Sequence, residues 1–138
     1  MLKKQESDVI GQTGREAIRR DIQSCLELAA AKARRISEVL DSRYSPAPGS
    51  VPAEVFTLAL DLLSSLGRAV RVGWSHRDYE TLLESLGMAL ALAQCLPGAT
   101  APDIPRVRMA AKSLDYRLRV HASMVAREKE EPWDAKTA

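Results

Sequence analysis

The sequence is poor in aromatic residues, which make up 4% of its 138 residues, and it contains only two cysteines. Valine and isoleucine are a minority among its apolar residues, and few segments alternate apolar and polar residues. Because strands favour β-branched and aromatic residues, this composition favours helices over a β-sheet. The length is that of one domain, which can bury a core without disulfides or metals.

The chain also lacks a long hydrophobic segment and a strong excess of charge. Its longest apolar run, residues 86–93, is far shorter than the ~20 residues of a membrane span. The net charge of +2 is too small to predict nucleic-acid binding by itself. No apolar stretch follows the two N-terminal lysines, so we expect no signal peptide and a cytoplasmic protein. Cys25 and Cys95 lie among apolar neighbours, so we expect buried free thiols.

Four segments repeat apolar residues at spacings of three and four, which is the pattern of amphipathic helices. Short linkers join them, so the sequence predicts an all-α fold, an antiparallel up-down-up-down four-helix bundle. A flexible N-terminus is expected over residues 1–12 and a charged C-terminal tail over residues 128–138. The predicted helices span residues 13–43, 52–72, 76–96 and 103–127.

Local signals indicate where these helices should begin. Thr13 starts a capping-box sequence, and Ser75 is the expected N-cap of the third helix. Trp74 and Tyr79 have the spacing of a hydrophobic staple around that cap. Asp103 is expected to cap the fourth helix, which has a proline in its first turn.

The second and third helices are both rich in leucine. The second has so narrow a polar strip that we expect other protein around most of it. Gly67 and Gly87 each cost about 1 kcal/mol in a helix interior, so we expect them at close contacts between helices. The expected core seam of the third helix comprises Tyr79, Leu82, Leu83, Leu86, Leu90 and Ala93.

No motif commits the chain to a reaction. His-Glu-x-x-His, Glu-x-x-His and Cys-x-x-Cys sequences are all absent. His76, Glu80 and Glu84 recur every four residues and could hold a divalent metal. Their face points away from the leucine seam of the third helix, so we interpret them as a solvated surface. We expect a non-enzymatic protein with no metal and no cofactor.

His121 is unusual because it occupies a core position of the fourth helix. The predicted seam of that helix comprises Ile104, Val107, Ala111, Leu114, Leu118, His121 and Val125. A buried imidazole needs hydrogen-bond partners for its nitrogens, and burial lowers its pKa. His121 is therefore either a hydrogen-bonded core residue or a buried pH switch or ligand-binding group.

The outer face of the fourth helix is the most informative feature of the sequence. Met109, Tyr116, Val120 and Met124 form a second apolar stripe opposite the core seam. A stripe of this kind flanked by cations is typical of a protein contact surface. The flanking basic residues are Arg108, Lys112 and Arg119 on one side and Arg106 and Arg117 on the other, with Arg127 at the C-terminal end.

The leading hypothesis is an adaptor, chaperone-like or regulatory module that binds another protein, or itself as a homodimer, through this stripe. Bacterial adaptors, export chaperones and regulators include bundles of this size, which is an analogy of fold alone. Trp133, in the tail, either folds back onto the bundle or anchors in a partner.

Other interpretations of the fourth helix are left open. A nucleic-acid-binding regulator could use the arginines on phosphates and stack bases on Tyr116. An enzyme or small-ligand binder could have its site in the bundle core near His121. The stripe could instead be covered by the tail or by the first helix, leaving the arginines merely solvated.

Overall fold

The computed structural model describes residues 2–41 and 51–128, with side chains from residue 14 onward. No strand occurs in these two segments, so the predicted all-α fold is confirmed. None of the helices in them combines the length and apolar character needed to cross a membrane. The helices are α1 (Leu2–Val39), α2 (Ala53–Val72), α3 (Tyr79–Gln94) and α4 (Ile104–Arg127).

The four helices pack as a bundle in which each has two main neighbours. α1 packs against α2 and α4, and α3 packs against the same two helices. The α3–α4 interface is the least extensive of the four. The largest fully buried side chains come from all four helices and their ends, and include Ile22, Leu26, Ile36, Leu62, Leu66, Leu82, Leu96, Leu114 and Leu118.

Ion pairs define the relative direction of α1 and α2. Arg68 Nη2 lies 3.1 Å from Asp21 Oδ2. Near the other end of α1, Arg35 Nε lies 3.2 Å from Glu54 Oε1. The late part of α1 therefore meets the early part of α2, so these two helices are antiparallel.

The bounds of α2 and α4 lie within one residue of the predictions, but those of α1 do not. Asp103 precedes α4 without a side-chain capping hydrogen bond, and its carboxylate accepts hydrogen bonds from Thr100 instead.

α1 begins at Leu2 rather than near Thr13. The lysine, glutamine and glutamate residues at positions 3–6 favour helix. The helix therefore starts before the capping-box sequence at Thr13 and continues through it. The side chain of Thr13, residues 42–50 and the tail from residue 129, including Trp133, lie outside the described residues.

α3 begins at Tyr79, so the prediction that Ser75 caps it is wrong. Residues 73–78 form turns instead, and Asp78 is the residue that precedes the helix. Trp74 is 74% exposed and does not form the predicted staple.

Gly73 follows the last residue of α2 and lies where the end of α2 contacts α3. An added Cβ would lie 2.7 Å from the Ala69 carbonyl oxygen and 2.8 Å from Leu82 Cδ1. The expectation that Gly67 and Gly87 lie at close helix contacts is wrong, because a Cβ on either would meet nothing within 4 Å.

The buried face of α3 differs from the predicted seam. Leu82 is buried, but Leu83 and Leu90 are 41% and 44% exposed. The leucines of α3 are distributed over all sides of the helix. Hydrophobicity alone therefore could not show that its buried face includes the small residues Ser85 and Ala89. α2 is also less enclosed than expected, since Leu60 is 64% exposed.

Candidate functional site

The outer face of α4 carries the exposed apolar stripe that the sequence predicts. Met109 is 57% exposed, Tyr116 66%, Val120 42% and Met124 52%. The predicted seam on the opposite side, from Ile104 to Val125, is buried at every position. α4 therefore has two apolar sides, of which the bundle covers one.

A cleft of about 470 Å³ adjoins the stripe between α3 and α4. Tyr116, Val120 and Met124 line it from α4, and Thr81 lines it from α3. Three of the four residues of the stripe therefore also form the wall of a concave site. Its other lining residues are polar: Asp78, Glu84, Arg117 and His121.

A second cleft of about 590 Å³ lies at the other end of the α3–α4 interface. Its lining includes Met88, Ala91 and Cys95 on the α3 side and Arg106 and Ala110 on α4. Cys95 is exposed, so the prediction that both thiols are buried holds only for Cys25. Both clefts open between the same two helices, whose mutual packing is the least extensive in the bundle. We call the two clefts together the α3–α4 groove.

Arg117 connects the two helices across this groove. Its Nη2 lies 2.9 Å from Glu84 Oε2, and its Nε donates to Ser85 Oγ over 3.0 Å. His121, one turn after Arg117 in α4, contacts Asp78, which precedes α3. Later residues of α4 therefore contact earlier residues of the α3 segment, so the two helices are antiparallel. The guanidinium of Arg117 is therefore already paired within the protein.

Two further arginines beside the stripe are engaged within the protein. Arg108 Nη1 donates to the Leu40 carbonyl oxygen over 3.3 Å, at the C-terminal end of α1. Arg119 Nε donates to Asp115 Oδ1 over 2.9 Å. Basic residues that look equivalent in the sequence therefore differ in the charge that they offer a partner.

Lys112 and Arg127 form no ion pair with another described residue. Arg106 is not within ion-pair distance of a described carboxylate, but the hydrogen bonds from Thr100, and after them the charge of Arg106, lower the pKa of Asp103. All three are exposed. The charge along α4 that no described carboxylate compensates is therefore positive, and it lies at Lys112 and Arg127.

His76 is buried, which contradicts the prediction of a solvated face shared with Glu80 and Glu84. Because α3 begins only at Tyr79, His76 lies in the preceding turn and not on the helix. Its Nε2 is 2.9 Å from Glu128 Oε2, and its Nδ1 accepts a hydrogen bond from the Asp78 backbone N–H over 3.0 Å.

His76, Asp78 and Glu128 each place one nitrogen or oxygen atom within 4.8 Å of the others, which is close enough for a shared metal ion. Since Nδ1 of His76 accepts a hydrogen bond, the neutral ring carries its proton on Nε2 and donates it to Glu128. A metal at Nε2 would require that proton to leave and the backbone hydrogen bond to break. The geometry therefore fits a hydrogen-bonded anchor between the turn and the end of α4 better than a metal site.

His121 is buried, as predicted, and its Nε2 lies 3.1 Å from Asp78 Oδ2. The hydrogen bond from His121, the largest contribution, holds the pKa of Asp78 below its ordinary value. Nδ1 of His121 is buried and has no hydrogen-bond partner in the described part of the chain. A role of His121 as a switch or ligand-binding group stays a prediction.

Sequence reasoning missed Asp78 and Glu128, which contact the two histidines. No spacing pattern connects Glu128 with His76, because they lie in different elements and meet only after folding.

The chain matches no protein-family model, no curated protein and no solved structure in the three comparisons made.

Proposed function

We propose that the protein is a non-enzymatic interaction module that binds another protein through the outer face of α4. The observation that supports this proposal is the row of apolar side chains that the bundle leaves 42–66% exposed. Burial of apolar surface contributes about 25 cal/mol per Å² removed from water. Contiguous exposed apolar surface of this kind is typical of interaction sites.

Charge favours a different protein over a second copy as the partner. In a parallel pair of α4 helices, the flank that carries Lys112 would face the flank of the other copy that carries Arg106 and Arg117. In an antiparallel pair, Arg106 of one copy would approach Arg127 of the other. Like charges across an interface disfavour association, so the homodimer expected from the sequence is less well supported than an acidic partner.

Nucleic-acid binding is the weaker alternative for the same face. Arg117 and Arg119 already contact carboxylates, which leaves fewer cations for phosphates than the sequence suggests. An apolar stripe lies between the remaining cations and is unsuited to a phosphate backbone. A mainly apolar interface should also tolerate salt better than phosphate contacts do.

The proposal can be tested by placing a photo-crosslinking amino acid at Tyr116 in cells of the native host. The matched control position is Leu28, which is 51% exposed on α1. We expect a discrete adduct of higher mass from position 116 only, and its loss when Val120→Glu is added. The same adducts from both positions, or none from position 116, would contradict the proposal. An adduct of twice the chain mass would identify a second copy.

A further inference from the structure

Besides the stripe on α4, the bundle leaves large apolar side chains exposed on the outer side of α2 and α3. Phe56 is 37% exposed and Leu60 64% on α2, and Leu83 and Leu90 on α3 are 41% and 44% exposed. Exposed apolar side chains that lie together are typical of surfaces that another molecule covers. Their positions on the two helices indicate what covers them.

The exposed side chains belong to one row of residues on each helix, at spacings of three and four. The row on α2 comprises Phe56, Leu60, Leu63, Gly67 and Val70. The row on α3 comprises Leu83, Leu86, Leu90 and Ala93. A row with this spacing is the seam by which a helix packs against another helix in coiled coils and bundles. We call the two rows together the α2–α3 face.

The two rows lie next to each other, beside the interface between α2 and α3. On α2, Glu54 and Arg68 pair with residues of α1, and the row lies on the opposite flank of the helix. On α3, Glu84 pairs with Arg117 of α4, and the row again lies on the opposite flank. Because α2 packs against α1 and α3, and α3 against α2 and α4, the two rows form one surface across both helices.

No charged residue occupies a position in either row. α3 contains neither lysine nor arginine, and α2 contains no lysine. Helices that bind a membrane surface carry lysines and arginines beside their apolar side, so this composition favours a protein surface over lipid. Two copies of the chain can meet at this face without opposing like charges, which would disfavour association.

A second copy fits the face both in area and in the number of rows. α2 has 20 residues and α3 has 16, so the two helices side by side present roughly 25 Å by 20 Å. An interface between two copies would therefore bury roughly 1,000 Å², which is about the lower limit for specific protein interfaces. A second copy also brings two rows, so that each row of one copy meets a row of the other.

We infer that two copies of the chain associate through the α2–α3 face and form a dimer with two-fold symmetry. In such a dimer the same surface of each copy meets the other, which closes the assembly at two chains. This inference is independent of the proposed function, because it uses other helices and leaves the outer face of α4 available to a partner. The charge argument against a second copy applies to α4 alone.

Sedimentation velocity of the full chain over a range of concentrations tests the dimer. We expect a species of twice the chain mass of 15.1 kDa, whose proportion rises with concentration. Leu60→Glu and Leu83→Glu should each raise the dissociation constant at least about tenfold, because each places a carboxylate in an apolar interface. A chain that stays monomeric up to about 100 μM, or a dimer that neither substitution weakens, would overturn the inference.

Leu28→Glu is the matched control, since Leu28 is 51% exposed on α1 and belongs to neither face. This substitution should leave the dissociation constant unchanged. Circular dichroism and urea unfolding verify that each variant is folded. Equal weakening by Leu28→Glu would show that the effect is not specific to the α2–α3 face, and it would refute the assignment.

Val120→Glu on α4 separates this inference from the proposed function. It should leave the dimer intact and remove the partner adduct from position 116, whereas Leu60→Glu should weaken the dimer and keep that adduct. If Val120→Glu dissociates the dimer and Leu60→Glu does not, the dimer interface lies on α4 and the inference is wrong. If the dimer behaves as expected and position 116 gives no adduct, only the proposed function fails.

A photo-crosslinking amino acid at position 83 of the full chain identifies what covers the α2–α3 face. We expect a product of twice the chain mass, both in the purified protein and in cells of the native host. A crosslink within one chain would show that another part of the same chain covers the face. An adduct of a different mass in place of the dimer would identify another protein there. Either result contradicts the inference.

Discussion

His121 donates a hydrogen bond from Nε2 to Oδ2 of Asp78 over 3.1 Å, which joins α4 to the residue that precedes α3. The backbone N–H of Asp78 in turn donates to Nδ1 of His76, whose Nε2 contacts Glu128. One polar network therefore connects the turn between α2 and α3 with His121 of α4 and with Glu128, which directly follows that helix. Two of its members, Asp78 and His121, line the cleft that adjoins the exposed stripe of α4.

Replacement of His121 by leucine should destabilise the fold. If the imidazole only packed in the core, this substitution would be neutral or stabilising. Because it would leave Asp78 without its hydrogen bond from His121, we expect the free energy of unfolding to fall by about 1–3 kcal/mol in urea denaturation. The double variant His121→Leu/Asp78→Asn should lose less than the sum of the two single variants. An unchanged stability of His121→Leu would show that the hydrogen bond contributes nothing.

The stability should depend on pH through Asp78. The folded-state pKa of this carboxyl is lowered, mainly by the hydrogen bond from His121. The unfolded chain, with an ordinary pKa of about 3.9, therefore binds the proton more tightly. The contribution of Asp78 is present above that value and is lost as the pH falls through the lower folded-state pKa. In acid titrations monitored by circular dichroism, Asp78→Asn should have a shallower dependence below about pH 4, whereas Glu80→Gln should match the unmodified protein.

Three glycine-to-alanine variants should change the free energy of unfolding in opposite directions. Gly73→Ala places a Cβ against the Ala69 carbonyl oxygen and Leu82, so we expect a loss of about 1–3 kcal/mol. Gly67→Ala and Gly87→Ala meet no neighbouring atom within 4 Å and should each gain about 0.5–1 kcal/mol. Thermal and urea unfolding measure all three. A neutral Gly73→Ala would contradict the close approach of α2 and α3.

Zinc should not stabilise the protein through His76. The hydrogen bond from the Asp78 N–H to Nδ1 leaves the ring proton on Nε2, the atom that would have to bind the metal. We therefore expect no change in the unfolding temperature when Zn²⁺ replaces EDTA. A rise that His76→Gln abolishes would show that the network rearranges around a metal.

The exposed stripe of α4 could be predicted because helical periodicity places Met109, Tyr116 and Val120 on one side from sequence spacing alone. The burial of His76 could not, because its contact with Glu128 joins residues from different elements. The spacing of four residues predicts that Arg119 pairs with Asp115. Nothing in the sequence, however, distinguishes Arg117, which pairs with Glu84 of α3, from Lys112, which forms no ion pair with a described residue. That distinction decides the charge of the proposed binding face.

The sequence by itself determined the four helices and the two apolar sides of α4, since the spacing of residues along a helix is a local property. The tertiary structure alone decided which side of α3 is buried, where the α3–α4 groove opens, and which cations remain unpaired. These features depend on the approach of side chains that are distant in the sequence, so their positions are defined only once the helices have packed.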